Sequence, residues 1–245
     1  GLVAYYPLNG NANDESGNGN DGIVKGAALS TDRFGNQNSA YSFDGVDDKI
    51  NLPFSSEVLS GELSIVAWVY REKDLLGWHG LQGIISNLEP SSAGLTIGAD
   101  KNEKLKLSMW TSDRQIEFYG EPELHKNDWE FIAMVYNGAN LSGYINGQQF
   151  QEESGSGNLI GQKNFEIGND TYSASKLRYW GGKIDDIHFY NRALTEIEIN
   201  DLYCEGGWCE QGCTDPNASN YDSSSNVDDG SCEYKTLTVG LVAYY

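Results

Sequence analysis

Short apolar or alternating runs, broken by Gly, Asn, Asp and Ser, fill most of the chain. Such runs, bounded by turn residues, read as β-strands. They fall at Leu2–Tyr6, Ala40–Phe43, Lys49–Leu52, Leu63–Tyr70, Gly83–Ser86, Gly94–Ile97 and Lys104–Trp110. Arg114–Tyr119, Trp129–Tyr136, Gly143–Ile145, Gln148–Gln151, Asn164–Ile167 and Lys183–Tyr190 follow. Leu63–Tyr70 is apolar almost throughout, as a central strand buried on both faces requires. Asn146-Gly147 is a two-residue hairpin signal. Many short strands with little helical periodicity predict an all-β fold, a two-sheet antiparallel jelly-roll sandwich. One short helix is expected around Glu196–Leu202, where Thr195 and Glu198 form a T-x-x-E capping box.

The pattern changes after Tyr203. Residues 204–234 are poor in aliphatics and rich in Asp, Asn, Ser and Gly. Such a segment buries too little apolar area to stand alone. All four cysteines lie here, at Cys204, Cys209, Cys213 and Cys232. An even, clustered set reads as two disulfides and an oxidising, extracellular setting. Three pairings are open, with Cys204–Cys209 and Cys213–Cys232 favoured. The spacing C-x4-C-x3-C-x18-C does not match the usual zinc ribbons. The expected organisation is a sandwich over 1–203, a disulfide-held module over 204–234, and a linker with one further strand over 235–245.

Gly1-Leu2-Val3-Ala4-Tyr5-Tyr6 recurs as Gly240-Leu241-Val242-Ala243-Tyr244-Tyr245. This predicts one unit of a tandem array cut into the next unit, with neighbouring repeats as partners and strand exchange through residues 240–245.

With 36 acidic and 16 basic residues, the net charge is −20. That charge disfavours nucleic acid and anionic membranes. It suits hard cations, calcium above all, or plain solubility. No run approaches the roughly 18 apolar residues of a membrane-spanning helix, so membrane insertion is not expected.

Three segments together resemble the bacterial laminin-G-like, concanavalin-A-like sandwich family. They are the opening strand with the loop Asp14-Glu15-Ser16-Gly17-Asn18-Gly19-Asn20-Asp21, the hairpin Ser42-Phe43-Asp44-Gly45-Val46-Asp47-Asp48-Lys49-Ile50, and the closing run Gly182–Thr195 with its Ile184-Asp185-Asp186. A second resemblance covers Gly212–Tyr234, which is similar to a short cysteine-bounded module of secreted Bacteroidetes-type proteins. The resemblances imply an extracellular, secreted or cell-surface protein.

Calcium is the expected cofactor. Asp14, Asn18, Asn20 and Asp21 sit in a glycine-rich loop that can curl oxygens around one ion. In the resembling family that loop runs close to the closing strand, which implies a share for Asp185 and Asp186. Asp44, Asp47 and Asp48 read as turn residues. A polysaccharide or glycan ligand needs an exposed aromatic beside amides and carboxylates. Trp68, Trp129 and Trp180 are assigned to the core and Trp110 is left open. Trp78, Tyr172 and Tyr179 are the expected platforms.

Catalysis is poorly supported. The E-x-D-x-x-E pattern of related glycosidases begins at Glu72-Lys73-Asp74 but meets Gly77 in third place. His79, His125 and His188 are scattered, and His188 reads as a sheet-face histidine. The expected function is therefore non-catalytic: an extracellular adhesion or carbohydrate-binding module of a repetitive protein. A structural spacer and a polysaccharide-active enzyme lacking the usual carboxylates are the alternatives.

Overall fold

The computed structural model describes residues 1–59, 61–73, 81–90, 92–170, 178–209, 211–223, 225, 227–228 and 230–234, without the side chains of Glu121 and Pro122. The strands are β1 (Leu2–Tyr6), β2 (Ile23–Lys25), β3 (Ala28–Ser30), β4 (Ala40–Asp44), β5 (Lys49–Ser55), β6 (Leu63–Arg71), β7 (Gln82–Ser86) and β8 (Leu95–Ala99). They continue as β9 (Lys104–Trp110), β10 (Gln115–Glu123), β11 (Trp129–Tyr136), β12 (Asn140–Ile145), β13 (Gln148–Ser154), β14 (Asn164–Ile167) and β15 (Gly181–Tyr190). The helix α1 (Glu196–Tyr203) and the two short strands β16 (Gln211–Gly212) and β17 (Val227–Asp228) complete the set.

Two antiparallel sheets form a sandwich. One runs β13-β12-β11-β6-β15-β4-β3, with β1 also paired to β15. The other runs β10-β9-β8-β7-β14-β5-β2. Period-two alternation decides which side chains lie between them. On β9, Leu105, Leu107 and Met109 enter the core while Lys106, Ser108 and Trp110 face out. On β6, Ile65, Ala67 and Val69 enter and Trp68 faces out, although it is buried from above.

The Asn146-Gly147 hairpin forms between β12 and β13. Both residues have positive φ, 51° and 76°, as a type I′ turn demands. The strands β2 and β3 were not expected. Each has three residues in a Gly- and Asp-rich stretch, and Ile23 is exposed, so neither carries a buried face to read.

The chain divides into two compact units, Gly1–Glu196 and Ile197–Tyr245. The second holds most of α1, with Ile199 and Tyr203 buried, and the parallel pair β16–β17. Its disulfides are Cys204–Cys209 and Cys213–Cys232, the favoured pairing. Cys213 and Val227 are among its few buried residues, so covalent closure stands in for core burial. Among the described residues, no helix is long and apolar enough to cross a membrane.

Candidate functional site

The residues expected to share one calcium fall into two clusters, bridged by Tyr5. In the opening loop, Asp14 accepts the backbone N–H groups of Tyr5 and Ser16 on Oδ1 and that of Asn20 on Oδ2, each at 2.9 Å. Against the opposing effect of partial burial, the Ser16 side chain and these backbone hydrogen bonds hold its carboxyl below the usual range. Asn18 and Asn20 donate their side-chain amides to Val3 O, and Asn18 also reaches Leu2 O. Asp21 accepts from the backbone of Asp14. The loop thus satisfies the outer edge of β1, which pairs with β15 on its other side. An unpaired strand edge invites association, and side-chain capping removes that hazard.

Asp185 and Asp186 face a cation of the chain itself. A strand points successive side chains to opposite faces, yet both carboxylates reach Arg33. The reason is a bulge: the pairing of β15 with β6 shifts between Asp185 and His188, and Asp186 takes φ 43°. Ile184 and Ile187 consequently both point into the core, three residues apart. Arg33 Nη1 lies 2.5 Å from Asp186 Oδ2. The guanidinium is sandwiched between Phe34 and Trp68, 4.4 and 4.7 Å from the ring centres. The turn carrying it is held by Asp32, which accepts the N–H groups of Phe34 and Asn36.

Burial and the charge of Asp186 push the Asp185 carboxyl up to about 8, against the pull of Arg33. Beside it, His188 is buried and pushed down to about 4 despite the Asp186 charge. It stacks on Tyr5 at 4.2 Å, the sheet-face role expected for it. Tyr5 OH donates to Asp186.

This donor set does not fit a cation shared between loop and strand. Three N–H donors already occupy the loop carboxylate, and a guanidinium stands against the strand carboxylates. The one group of three acidic side chains within 4.8 Å among the described residues is Asp44, Asp47 and Asp48. There Asp44 accepts from Val46 N and Asp48 accepts from Asp44 N, the turn role expected of them.

A ligand-sized space lies elsewhere. A cleft of about 280 Å³ opens on the outer face of the β10-β9-β8-β7 side. Its floor is Lys106, Ser108 and Trp110 of β9 with Gln115 and Glu117 of β10. Registered pairing sets Gln115 opposite Trp110 and Glu117 opposite Ser108. Leu81, Leu88, Ser92 and Arg178 form the walls. Glu117 accepts from Lys106 at 2.9 Å, Gln115 at 3.0 Å and Tyr119 at 3.3 Å. Burial alone would lower the Lys106 amine, but Glu117 outweighs it and the net shift is upward. Arg178 bonds Asp170 at 2.6 Å. Both cations in the cleft are therefore matched by carboxylates.

Of the expected platforms, Trp78 and Tyr172 lie outside the described residues. Tyr179 is half-buried and bridges Gly83 and Asn169 through its backbone. Trp110 is the aromatic that the structure brings to the cleft. The signal for it is the alternation Lys104-Leu105-Lys106-Leu107-Ser108-Met109-Trp110, which places it on the polar face. Glu72 lies 3.8 Å from Lys183, and Asp74 is outside the described residues.

The family profile of the concanavalin A-like lectin/glucanases superfamily, of laminin G type, matches residues 44–200, well over half of the chain. The chain belongs to this superfamily. Comparison with curated protein sequences finds no match. Among solved structures, domain 4 of AbnA, a GH43 extracellular arabinanase from Geobacillus stearothermophilus, in complex with arabinotriose, is similar with a TM-score of 0.66. The two are 20% identical over 82% of this chain and 98% of that one. The binding domain of Paraclostridial Mosquitocidal Protein 1 follows, with TM-score 0.65, 18% identity and 82% of this chain covered. The Botulinum neurotoxin serotype D binding domain gives 0.64, 20% and 82%. The chain spans about half of each of these two toxin domains, 51% and 50%. At such identities the likeness is one of fold.

Proposed function

We propose that this superfamily member is a non-catalytic carbohydrate-binding module of an extracellular protein. The observation that carries the reading is the cleft over β9 and β10. There Trp110 offers an aromatic surface beside the Gln115 amide and the Ser108 hydroxyl, a combination that suits a sugar's apolar face and its hydroxyl rim. Because Lys106 and Arg178 each already face a carboxylate, the cleft favours a neutral, hydroxyl-rich ligand over an anionic one. The arabinotriose bound by the AbnA domain supports the ligand class.

A non-catalytic role is supported by the cleft's acidic inventory. Glycoside hydrolysis uses two carboxyl groups about 5 to 10 Å apart across the bond. Glu117 is the single carboxylate among the described lining residues, and Lys106, Gln115 and Tyr119 hold it. The two disulfides support an oxidising, extracellular setting, and the repeated six residues support neighbouring units of the same kind as partners.

The test is a broad array of neutral polysaccharides and arabino-oligosaccharides, read with the folded chain and with Trp110→Ala. Saturable binding lost in the variant is expected. No binding by the folded wild-type chain overturns the reading, and release of reducing ends from any bound glycan overturns its non-catalytic part.

A further inference from the structure

We infer that the groove holding β1 also accepts residues 240–245 of a second copy of this chain. The inference rests on the fold and the repeated sequence and is independent of the carbohydrate reading.

The groove has three walls. Ile187–Tyr190 of β15 pairs antiparallel with β1, Tyr6 opposite Ile187 and Tyr5 opposite His188, with a register shift between Leu2 and Ala4. The loop of Asp14, Asn18 and Asn20 closes the opposite edge. Below lies the core, into which Ala4 and Tyr6 are inserted at 0% exposure. Two kinds of contact hold the strand. The loop bonds its backbone at Leu2 O, Val3 O and Tyr5 N, and Glu15 N donates to Tyr5 O. The side-chain contacts are the Tyr5 stack on His188, Tyr5 OH to Asp186, and Tyr6 OH to Asn20 O at 2.6 Å. At the strand's start, Gly1 O accepts from Asn191 N.

Every one of these contacts is made by the six residues Gly-Leu-Val-Ala-Tyr-Tyr, and residues 240–245 are those same six in the same order. Apart from the amino terminus of Gly1, which donates to Asn191 Oδ1, the groove has no chemical means of telling the two segments apart. Only tethering does so: the first copy is joined to the groove through Pro7, at an effective concentration that short tethers hold near millimolar. Exchange conserves every contact but that of the amino terminus, so any loss of fit by residues 1–6 hands the groove to the other segment. The association is head-to-tail, one chain's tail in the next chain's groove, and it can propagate.

The test is made on the full chain. Ala4→Asp puts a charge at a position with no exposure and disables the first copy while leaving the second intact. Size-exclusion chromatography with light scattering is expected to show Ala4→Asp as concentration-dependent dimers and longer chains, and the double variant Ala4→Asp/Ala243→Asp as a monomer with a lower melting temperature. Monomeric Ala4→Asp, or equal mass and melting for the two, overturns the inference. Should neither variant fold, a labelled peptide of residues 236–245 is incubated with the wild-type chain just below its melting transition. A rise in anisotropy absent for the peptide carrying Ala243→Asp supports the inference, and no rise overturns it.

Discussion

Arg33 Nη1 lies 3.0 Å from Asp185 Oδ2, and both side chains are 3% exposed. The two residues are 152 positions apart in the chain. Their contact ties the turn before β4 to the bulge of β15 and brings a positive charge to the carboxylates expected to bind calcium.

Removing that side chain leaves the buried Asp185 and the half-buried Asp186 without the cation they face. Breaking a buried pair from one side costs about 3–5 kcal/mol. Arg33→Ala is expected to lower the urea midpoint by a loss of that order. Arg33→Lys restores little, because an ammonium cannot span both carboxylates or stack between Phe34 and Trp68. Adding Asp185→Asn and Asp186→Asn to Arg33→Ala recovers much of the loss. Strict additivity of the three changes in denaturation would contradict a shared network.

A second consequence concerns metal. With Arg33 in place, the melting temperature of the wild-type chain is expected to be the same in calcium and in chelator. In Arg33→Ala the exposed demand for a cation makes the melt rise with calcium, since binding to the folded state alone must stabilise it. A calcium shift in the wild type that Arg33→Ala abolishes would refute the assignment of the guanidinium as the resident cation.

The same cluster predicts a pH profile. Asp185 has a folded value of about 8, above its ordinary 3.8. The folded state keeps a proton that the unfolded chain has lost, so this contribution is whole below about pH 4 and declines as pH climbs through 8. His188 has a folded value of about 4, below its ordinary 6.5. Its contribution is whole above pH 6.5 and is lost as pH falls toward 4. Between these limits the two slopes oppose and nearly cancel. From about pH 6.5 to 8 only the Asp185 slope remains, and stability falls by one proton's worth per unit. Denaturant midpoints across this range check it. Asp186→Asn should flatten the alkaline fall, because it removes the like charge that raises Asp185. His188→Gln should uncover a decline already between pH 4 and 6.5.

How far such a cluster can be read from sequence alone is set by the range of the forces involved. Periodicity is local, and it located β1, β9, β11 and β14 at their observed bounds and β6 to within one residue. It also carried two signals that went unread. Ile184-Asp185-Asp186-Ile187 breaks strict alternation by one residue, which marks a bulge that sends both carboxylates to one face. The β9 alternation puts Trp110 outside. The Arg33 contact had no local signature, because it depends on how distant strands are stacked. The opening loop presents a ring of oxygens and amides, and in the structure these bond the backbone of β1. A strand edge presents carbonyls and N–H groups together, so it takes amides and a carboxylate at once.

That capping role is separately measurable. Asn18→Ala and Asn20→Ala each remove hydrogen bonds to β1 carbonyls and should cost about 1 kcal/mol apiece. Asp14→Ala removes an acceptor of three N–H groups and should cost more, in the range of about 2 kcal/mol for charge-assisted bonds. Its depressed carboxyl gives stability present above the ordinary value of 3.8 and lost as pH falls below it. Hydrogen exchange at Tyr5 N reports the edge directly: faster exchange is expected in all three variants, and unchanged protection would show that the loop does not hold the strand.

The cleft makes a prediction of a different kind, because its residues contribute to binding more than to folding. Trp110 is half-exposed at the end of β9, and the floor around it is polar. Stripping an aromatic face from a sugar site forfeits roughly 1 kcal/mol or somewhat more, which corresponds to a loss of about tenfold in affinity. Trp110→Ala should show that loss by calorimetry with a bound neutral oligosaccharide while its melting temperature stays near that of the wild type. Glu117→Gln separates two roles for the carboxylate. If Glu117 serves to hold Lys106 and shape the floor, the variant frees Lys106, and binding of anionic glycans rises while neutral glycans weaken. A variant that binds neutral and anionic glycans as the wild type does would show that charge matching in the cleft does not set its ligand class.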